Sequence, residues 1–471
     1  MEQTMKLPRI LLAAGASGSG KTLITCGLLQ ALVNRKMKVA SFKCGPDYID
    51  PMFHSRVIGT KSRNLDTFFT EEMVTKYLLE CNGADCDIAV MEGVMGYYDG
   101  IGGISSKASA YDLASVTDTP VILIVNSRGM SVSLAAYIKG FLEFKENSHI
   151  QGVIFNQMSE MLYPRMKAFV EAETGVRVLG YVPKVEDCVI ESRHLGLVLP
   201  EEIPELRERL EKLAEILEKT LDIDGILALA KDAPSLTYIE KDSLAEIERA
   251  FQFRASEPVR IAVAKDEAFC FFYEDNFRIL QEMGAEIVFF SPIHDKKLPE
   301  DIDGILLYGG YPELNGKALE ENQEMRTAIR QKLKEGLPCL AECGGFMYLH
   351  EQMEDMSGEI RAMVGVIPGK VYRTDRLRRF GYITLEQNGE ILEEALGKIP
   401  AHEFHYFDST NCGEAFHAEK PTGGRAWECI HGNECMIAGF PHLYYYGNPK
   451  VPAAFLKQCQ KYQKERQNKA H

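Results

Sequence analysis

The chain has 471 residues, of which 45% are hydrophobic and 26% charged, and it carries a net charge of −15. That length fits about two or three globular domains, and so acidic a surface repels nucleic-acid backbones. The 12 cysteines show neither paired metal-ligand spacing nor a compact disulfide framework, which suits reduced thiols. The amino terminus lacks a signal-peptide pattern, and no apolar run nears the roughly 20 residues of a membrane span. The expectation is a cytoplasmic protein, monomer or homodimer, with no nucleic-acid or membrane partner.

Residues 10–14 read as a short buried strand, followed by Gly15-Ala-Ser-Gly-Ser-Gly-Lys21-Thr22 and a helical pattern. This is the spacing of a phosphate-binding loop. Gly15, Gly18 and Gly20, with Ser17 and Ser19 between them, let backbone N–H groups curl around phosphate oxygens. Lys21 is expected to reach the β- and γ-phosphates of a nucleotide and Thr22 to hold Mg²⁺. Further strands are expected over 39–43, 88–91, 121–126, 152–156 and 178–181. Each is short, aliphatic and followed by turn residues, as in a parallel sheet covered by helices on both faces. Asp47 and Glu92 stand where strands end, the position at which open parallel sheets bind ligands, and carboxylates there suit a Mg²⁺ shell. Residues 93–100 are too glycine-rich for a helix start and suit either a mobile lid or a plain surface loop.

Residues 201–230 carry leucines at helical spacing, and 232–257 form a mixed connector with a helical stretch over 244–251. A second strand–helix series follows, with strands expected over 260–264, 286–290, 304–308 and 338–341, then a β-rich region with strands over 364–372 and 379–385. The division is therefore 1–231, a linker 232–257, and 258–471, both domains α/β. In the second, Pro338-Cys-Leu-Ala-Glu-Cys343-Gly-Gly reads as a strand, a sharp turn and a helix, the geometry of a nucleophile elbow. A thiol at a helix amino end is expected to have a lowered pKa. Gly309 and Gly310 follow the preceding strand and suit an oxyanion loop. Seven histidines (His294, His350, His402, His405, His417, His431 and His442) are candidates for the base, and spacing alone does not choose among them.

The motifs GASGSGKT, KCGPDYIDP, MEGVMGYYDG, ESRHLGL, YGGYPEL, AECGGFMYL, HEFHY and GFPHLYYYGNP resemble those of the cobyrinic acid a,c-diamide synthases over nearly the whole chain. The resemblance implies a P-loop fold of the dethiobiotin-synthetase type joined to a class I glutaminase. It implies that ATP activates carboxylates of cobyrinic acid as acyl phosphates, with glutamine as nitrogen donor. It also selects His442 as the partner of Cys343. Tyr444 stands where many class I glutaminases carry a glutamate, which implies a Cys–His pair without an orienting carboxylate. Asp47, Tyr48, Glu92 and Asp99 are implied at the amidation site, and Asn156 as a base-reading residue. Arg373, Arg376, Arg378 and Arg379 form a basic stretch suited to a polycarboxylate, and His402 and His405 suit substrate contact better than metal binding. Alternatives left open are the same chemistry on hydrogenobyrinic acid or a nickel sirohydrochlorin, or a P-loop regulatory ATPase.

Overall fold

Short aliphatic runs separated by helices bury both faces of a sheet, and such strands pair in parallel. The computed structural model describes residues 2–185, 203–239 and 258–470, and its contacts divide the chain into two units, Met1–Ser243 and Leu244–His471.

The first unit carries strands β1 (Glu2–Met5), β2 (Arg9–Ala14), β3 (Val39–Cys44), β4 (Lys61–Leu65), β5 (Ile88–Glu92), β6 (Val121–Asn126), β7 (Ile150–Asn156), β8 (Arg177–Val182) and β9 (Leu236–Ile239). Seven of them form a parallel sheet in the order β4-β3-β5-β2-β6-β7-β8. Successive connections run to one side of β2 as far as β5 and to the other side from β6, so the loop after β2 opens where the strand order reverses. The edge strand β4 reads Lys-Ser-Arg-Asn-Leu and was not among the expected strands. β9 pairs antiparallel with β1, Met5 opposite Leu236, so residues 236–239 belong to the first unit rather than to a linker. The helix expected over 244–251 and the ESRHLGL motif lie outside the described residues.

The expected helical stretch 201–230 is two helices, Ile203–Thr220 and Ile223–Lys231. They part where Asp222 caps the second one, its carboxylate accepting from Gly225 N at 2.9 Å. Leu213 and Leu217 lie against Gly27 of the helix Lys21–Asn34, where a Cβ would come within 2.6 Å of Leu217 Cδ1. Glycine there lets two helix backbones approach and seals the apolar layer beneath the phosphate loop.

The second unit holds two sheets. Strands β10 (Val259–Ala264), β11 (Ala285–Phe290), β12 (Gly304–Leu307) and β13 (Cys339–Glu342) match the second expected series. Beyond them run β14 (His350–Glu354), β15 (Ile360–Ala362), β16 (Ile367–Gln387), β17 (Ile399–Ser409), β18 (Phe416–Glu419), β19 (Ala426–Cys429), β20 (His431–Gly432), β21 (Met436–Gly439) and β22 (His442–Leu443). The first sheet has the order β11-β10-β12-β13-β21-β20, parallel except for the β20–β21 pair. The second has β15-β14-β16-β17-β22 as its spine, with β18 and β19 alongside, and is antiparallel except for β14–β16. The two strands expected over 364–372 and 379–385 are one, β16, whose register shifts between Arg373 and Arg378 and again before Gly381. Between β21 and β22, Phe440 and Pro441 carry the chain from one sheet to the other.

Candidate active site

In the first unit, β2 ends at Ala14 and the helix begins at Lys21, with Gly18 and Gly20 at φ 77° and 87°. This left-handed backbone comes at little cost only to glycine. Ser17 and Gly18 are exposed at the loop tip, while Ser19 is buried, its hydroxyl donating to Ala16 O at 2.9 Å. Gly15 packs on Tyr137, leaving no room for a Cβ. Lys21 Nζ donates to Met95 O at 2.9 Å. Asn156 Nδ2 donates to Ser19 O at 2.8 Å from beneath, so its amide braces the loop backbone, a different contact from base reading.

The Thr22 hydroxyl donates to Glu92 Oε1 at 2.6 Å. Lys43 Nζ, at the end of β3, reaches the same oxygen at 2.9 Å, bonds Asp50, and lies 3.9 Å from Asp47 Oδ2. Burial opposes the charge on Lys43, but Glu92, Asp50 and Asp47 outweigh it and hold the ammonium protonated. Burial and the neighbouring Asp50 push Asp47 up from the usual carboxylate range. Glu92 is fully buried, and its Oε2 accepts no hydrogen bond but lies 3.7 Å from His54 Nε2. Lys43, Asp50 and His54 were not singled out from sequence. A lysine in an otherwise apolar central strand was the available signal, because lysine is almost never buried without counter-charges.

Tyr48 is buried beside this cluster, and Asp99 is exposed, accepting from Gly96 N at 3.1 Å. The segment 93–100 is tied to the sheet at two points: Gly93 N donates to Leu12 O, Tyr97 N to Ala14 O, and the buried Tyr97 hydroxyl to Ser148 O.

In the second unit, Cys343 follows β13 with φ 47° and ψ −106° and caps the helix Gly344–Leu349. That strained turn is what an elbow requires. Cys343 N donates to Gly439 O at 2.8 Å, tying the elbow to β21. His442 arrives from the other sheet, opposite His402 on β17. A Cβ built on Gly309 would lie 2.6 Å from His442 Cε1 and 3.5 Å from Cys343 Cβ, so both side chains close on the same glycine. A Cβ on Gly344 would lie 3.1 Å from Gly310 N, which places that amide at the elbow.

The expected fall in the thiol's pKa is not found. Burial pushes Cys343 up, and Glu313, Glu403 and Glu342 add to it. The helix at the elbow has only 6 residues, too short to offset desolvation among carboxylates. Burial also brings His442 down to about 3. The resting pair is therefore a neutral thiol and a neutral imidazole. Nor is a carboxylate missing: Glu342 Oε2 stands 3.7 Å from His442 Nδ1. The hydroxyl of Tyr444 donates to Asp275 Oδ2 instead.

His402 and His405, expected to suit substrate contact, are both buried. The His402 ring stacks on His442 at 4.8 Å, and the His405 ring on Phe440 at 4.0 Å. His405 Nε2 is bonded to Glu403 Oε2 at 2.9 Å. Arg373, Arg376 and Arg378 are exposed at the irregular part of β16, whereas Arg379 turns toward Asp408 at 3.7 Å.

A phosphate loop whose Thr22 meets a buried Glu92–Lys43 pair, and in the same chain an elbow thiol beside a histidine, define a glutamine-dependent amidating ligase. Residues 10–197 match the CobQ/CobB/MinD/ParA nucleotide binding domain, and residues 260–443 the CobB/CobQ-like glutamine amidotransferase domain. The cobyrinate a,c-diamide synthase of Clostridium acetobutylicum is 39% identical, over 93% of this chain and 97% of its own. That of Priestia megaterium is 36% identical over 98% and 99%, and that of Thermoplasma volcanium 37% over 98% and 100%. The chain belongs to the cobyrinate a,c-diamide synthase family. No helix among the described residues is long and apolar enough to cross a membrane.

Proposed function

We propose that the protein amidates the a and c carboxylates of cobyrinic acid with ATP and glutamine, by way of acyl phosphates. The reading rests above all on two built sites in one chain that is alike end to end to synthases of that name. Cys343 gives its proton to His442 and attacks the glutamine carboxamide carbon. His442 returns the proton to the leaving nitrogen, releasing ammonia, and water then cleaves the thioester to glutamate. The Gly310 amide is placed to receive the developing oxyanion.

In the first unit a substrate carboxylate oxygen attacks the γ-phosphorus of ATP and ADP leaves. Ammonia then attacks the acyl carbon, and phosphate departs. Backbone amides of Gly15–Gly20 cradle the phosphates, and Lys21 and Lys43 offset their charge. Thr22 and Glu92 fit Mg²⁺, since Glu92 Oε2 is buried without a hydrogen bond, and Asp47 is close by. When bound, the ion draws charge from the transferring phosphoryl group. Tyr48 and Asp99 flank the carboxylate to be activated, and exposed Arg376 suits the substrate's other carboxylates.

The test is product mass spectrometry after incubation with cobyrinic acid, Mg·ATP and glutamine. Two –OH groups replaced by –NH₂, in an ATP-dependent manner, support the reading. ATP and glutamine consumed with cobyrinic acid unchanged removes this substrate and leaves the related tetrapyrroles. Cys343→Ser should lose glutamine use and keep ammonia use, whereas a regulatory ATPase would show neither loss nor amide.

A further inference from the structure

Glu342 is 4% exposed, and among the described residues its ion-pair-distance neighbour is His442, 3.7 Å away. Its Oε1 is buried without a hydrogen bond, and the Leu443 N–H is the backbone donor that reaches the carboxylate. A carboxyl group buried with so few hydrogen bonds is unfavourable even in the neutral form that burial favours here. It immediately precedes the nucleophile, at the end of β13.

The groups facing His442 come from several elements. His402 stacks on the ring from β17, and His405 and Glu403 act on its charge from the same strand. Cys343 lies on its Cε1 side across Gly309. Glu313, Glu403 and Glu342 surround the thiol. Of the carboxylates, Glu403 already binds His405 Nε2 at 2.9 Å. Among the described residues, Glu342 is the carboxyl group that comes within ion-pair distance of the imidazole.

We propose that Glu342 is the positioning residue of the glutaminase, holding His442 through Nδ1 and balancing the imidazolium that forms when Cys343 gives up its proton. The proposal rests on the Cys343–His442 reading above. The 3.7 Å contact is longer than a hydrogen bond, and such contacts tighten when substrate binds. Burial favours the neutral form of each partner taken singly. A carboxylate and an imidazolium formed together neutralise one another, so the pair charges at the moment of proton transfer. The position two residues after the histidine is then free to be Tyr444.

The experiment uses the full chain with Glu342→Gln, Glu342→Asp and Cys343→Ala. Glutamine hydrolysis, ammonia-dependent amidation and the pH profile of Cys343 alkylation by iodoacetamide, read at that peptide by mass spectrometry, are measured together. For Glu342→Gln, kcat for glutamine should fall about 100-fold with KM within about twofold, while ammonia-dependent amidation is unchanged. The acid limb of the alkylation profile should move up by about one pH unit because the imidazolium loses its counter-charge, whereas relief of Glu342's direct push on the thiol alone would move it down, and Glu342→Asp should recover roughly tenfold of the lost rate. Glutamine hydrolysis within about twofold of the parent with an unmoved alkylation profile overturns the proposal. A parallel fall in ammonia-dependent amidation overturns it too, by showing a purely structural role. If Glu342→Gln does not fold, Glu342→Asp decides: a lowered rate with a shifted limb supports the role, and parent-like behaviour rejects it. Retained glutamine use in Cys343→Ala would instead overturn the underlying pair, whatever the Glu342 variants do.

Discussion

Lys43 Nζ lies 2.9 Å from Glu92 Oε1, both side chains being almost wholly buried beneath the phosphate loop. The same oxygen accepts the Thr22 hydroxyl, so one carboxylate links the loop to the neighbouring strand. Removing the lysine leaves Glu92 and Asp50 as uncompensated buried charges. Lys43→Met should destabilise the protein by roughly 3–5 kcal/mol, read as a lowered urea midpoint. It should also abolish amidation with either nitrogen donor. Parent-like stability would show that these carboxylates are neutral in the resting protein.

Gly309 separates the elbow from the histidine. A methyl group there meets His442 Cε1 at 2.6 Å and must displace the ring. Misplacement by about 1 Å costs roughly 100-fold in rate, so Gly309→Ala should lower glutamine-dependent amidation by that order. Ammonia-dependent amidation, which does not use the elbow, should stay at the parent level. The ratio of the two donors' rates is the measurement.

Gly27 has no space for a large side chain, with Leu213 and Leu217 already closer than van der Waals contact to a Cβ. Gly27→Leu should cost about 1–3 kcal/mol by overpacking. Thermal unfolding followed by circular dichroism would show it, and an unchanged midpoint would mean that the helix Ile203–Thr220 moves aside freely.

Stability should decline in mild acid. Burial lowers His350 to about 4; its Nδ1 donates to Phe346 O, and its Nε2 shares a bond with Ser409 Oγ. In the unfolded chain its pKa is about 6.5. A depressed folded value means that the unfolded state binds more protons between these limits. The contribution is therefore complete above about pH 6.5 and lost as pH falls toward 4. By pH 5 the loss should reach roughly 2 kcal/mol. His350→Gln should flatten the dependence of the urea midpoint on pH by that amount; an identical slope in the variant contradicts it.

The phosphate loop, its Thr22 and the elbow cysteine were legible because each needs a fixed residue order along one short stretch. The buried strands were legible as aliphatic runs. What escaped depends on pairings remote in sequence. β4 is an edge strand, and Lys-Ser-Arg-Asn-Leu has no apolar run to betray it. β16 reads as two strands because its register shifts where the arginines cluster. β9 sits in a stretch without strong periodicity and becomes a strand by pairing with β1. Glu342 reads as one more residue of a core strand until the fold brings His442 from the other sheet. The direction of the Cys343 shift followed the helix end from sequence, but burial of the thiol, which only folding brings about, decides it, with Glu313, Glu403 and Glu342 adding to it.

The passage of the chain through Phe440 and Pro441 means that nucleophile and base answer to different supports. Cys343 is anchored by β13 and by the bond to Gly439 on the parallel sheet, His442 by its pairing with His402 on the antiparallel one. The spacing between them is thus set by the alignment of two layers rather than by either strand alone. A slip of one layer over the other would uncouple the pair without disturbing a single strand, as a clutch parts two shafts that each keep turning.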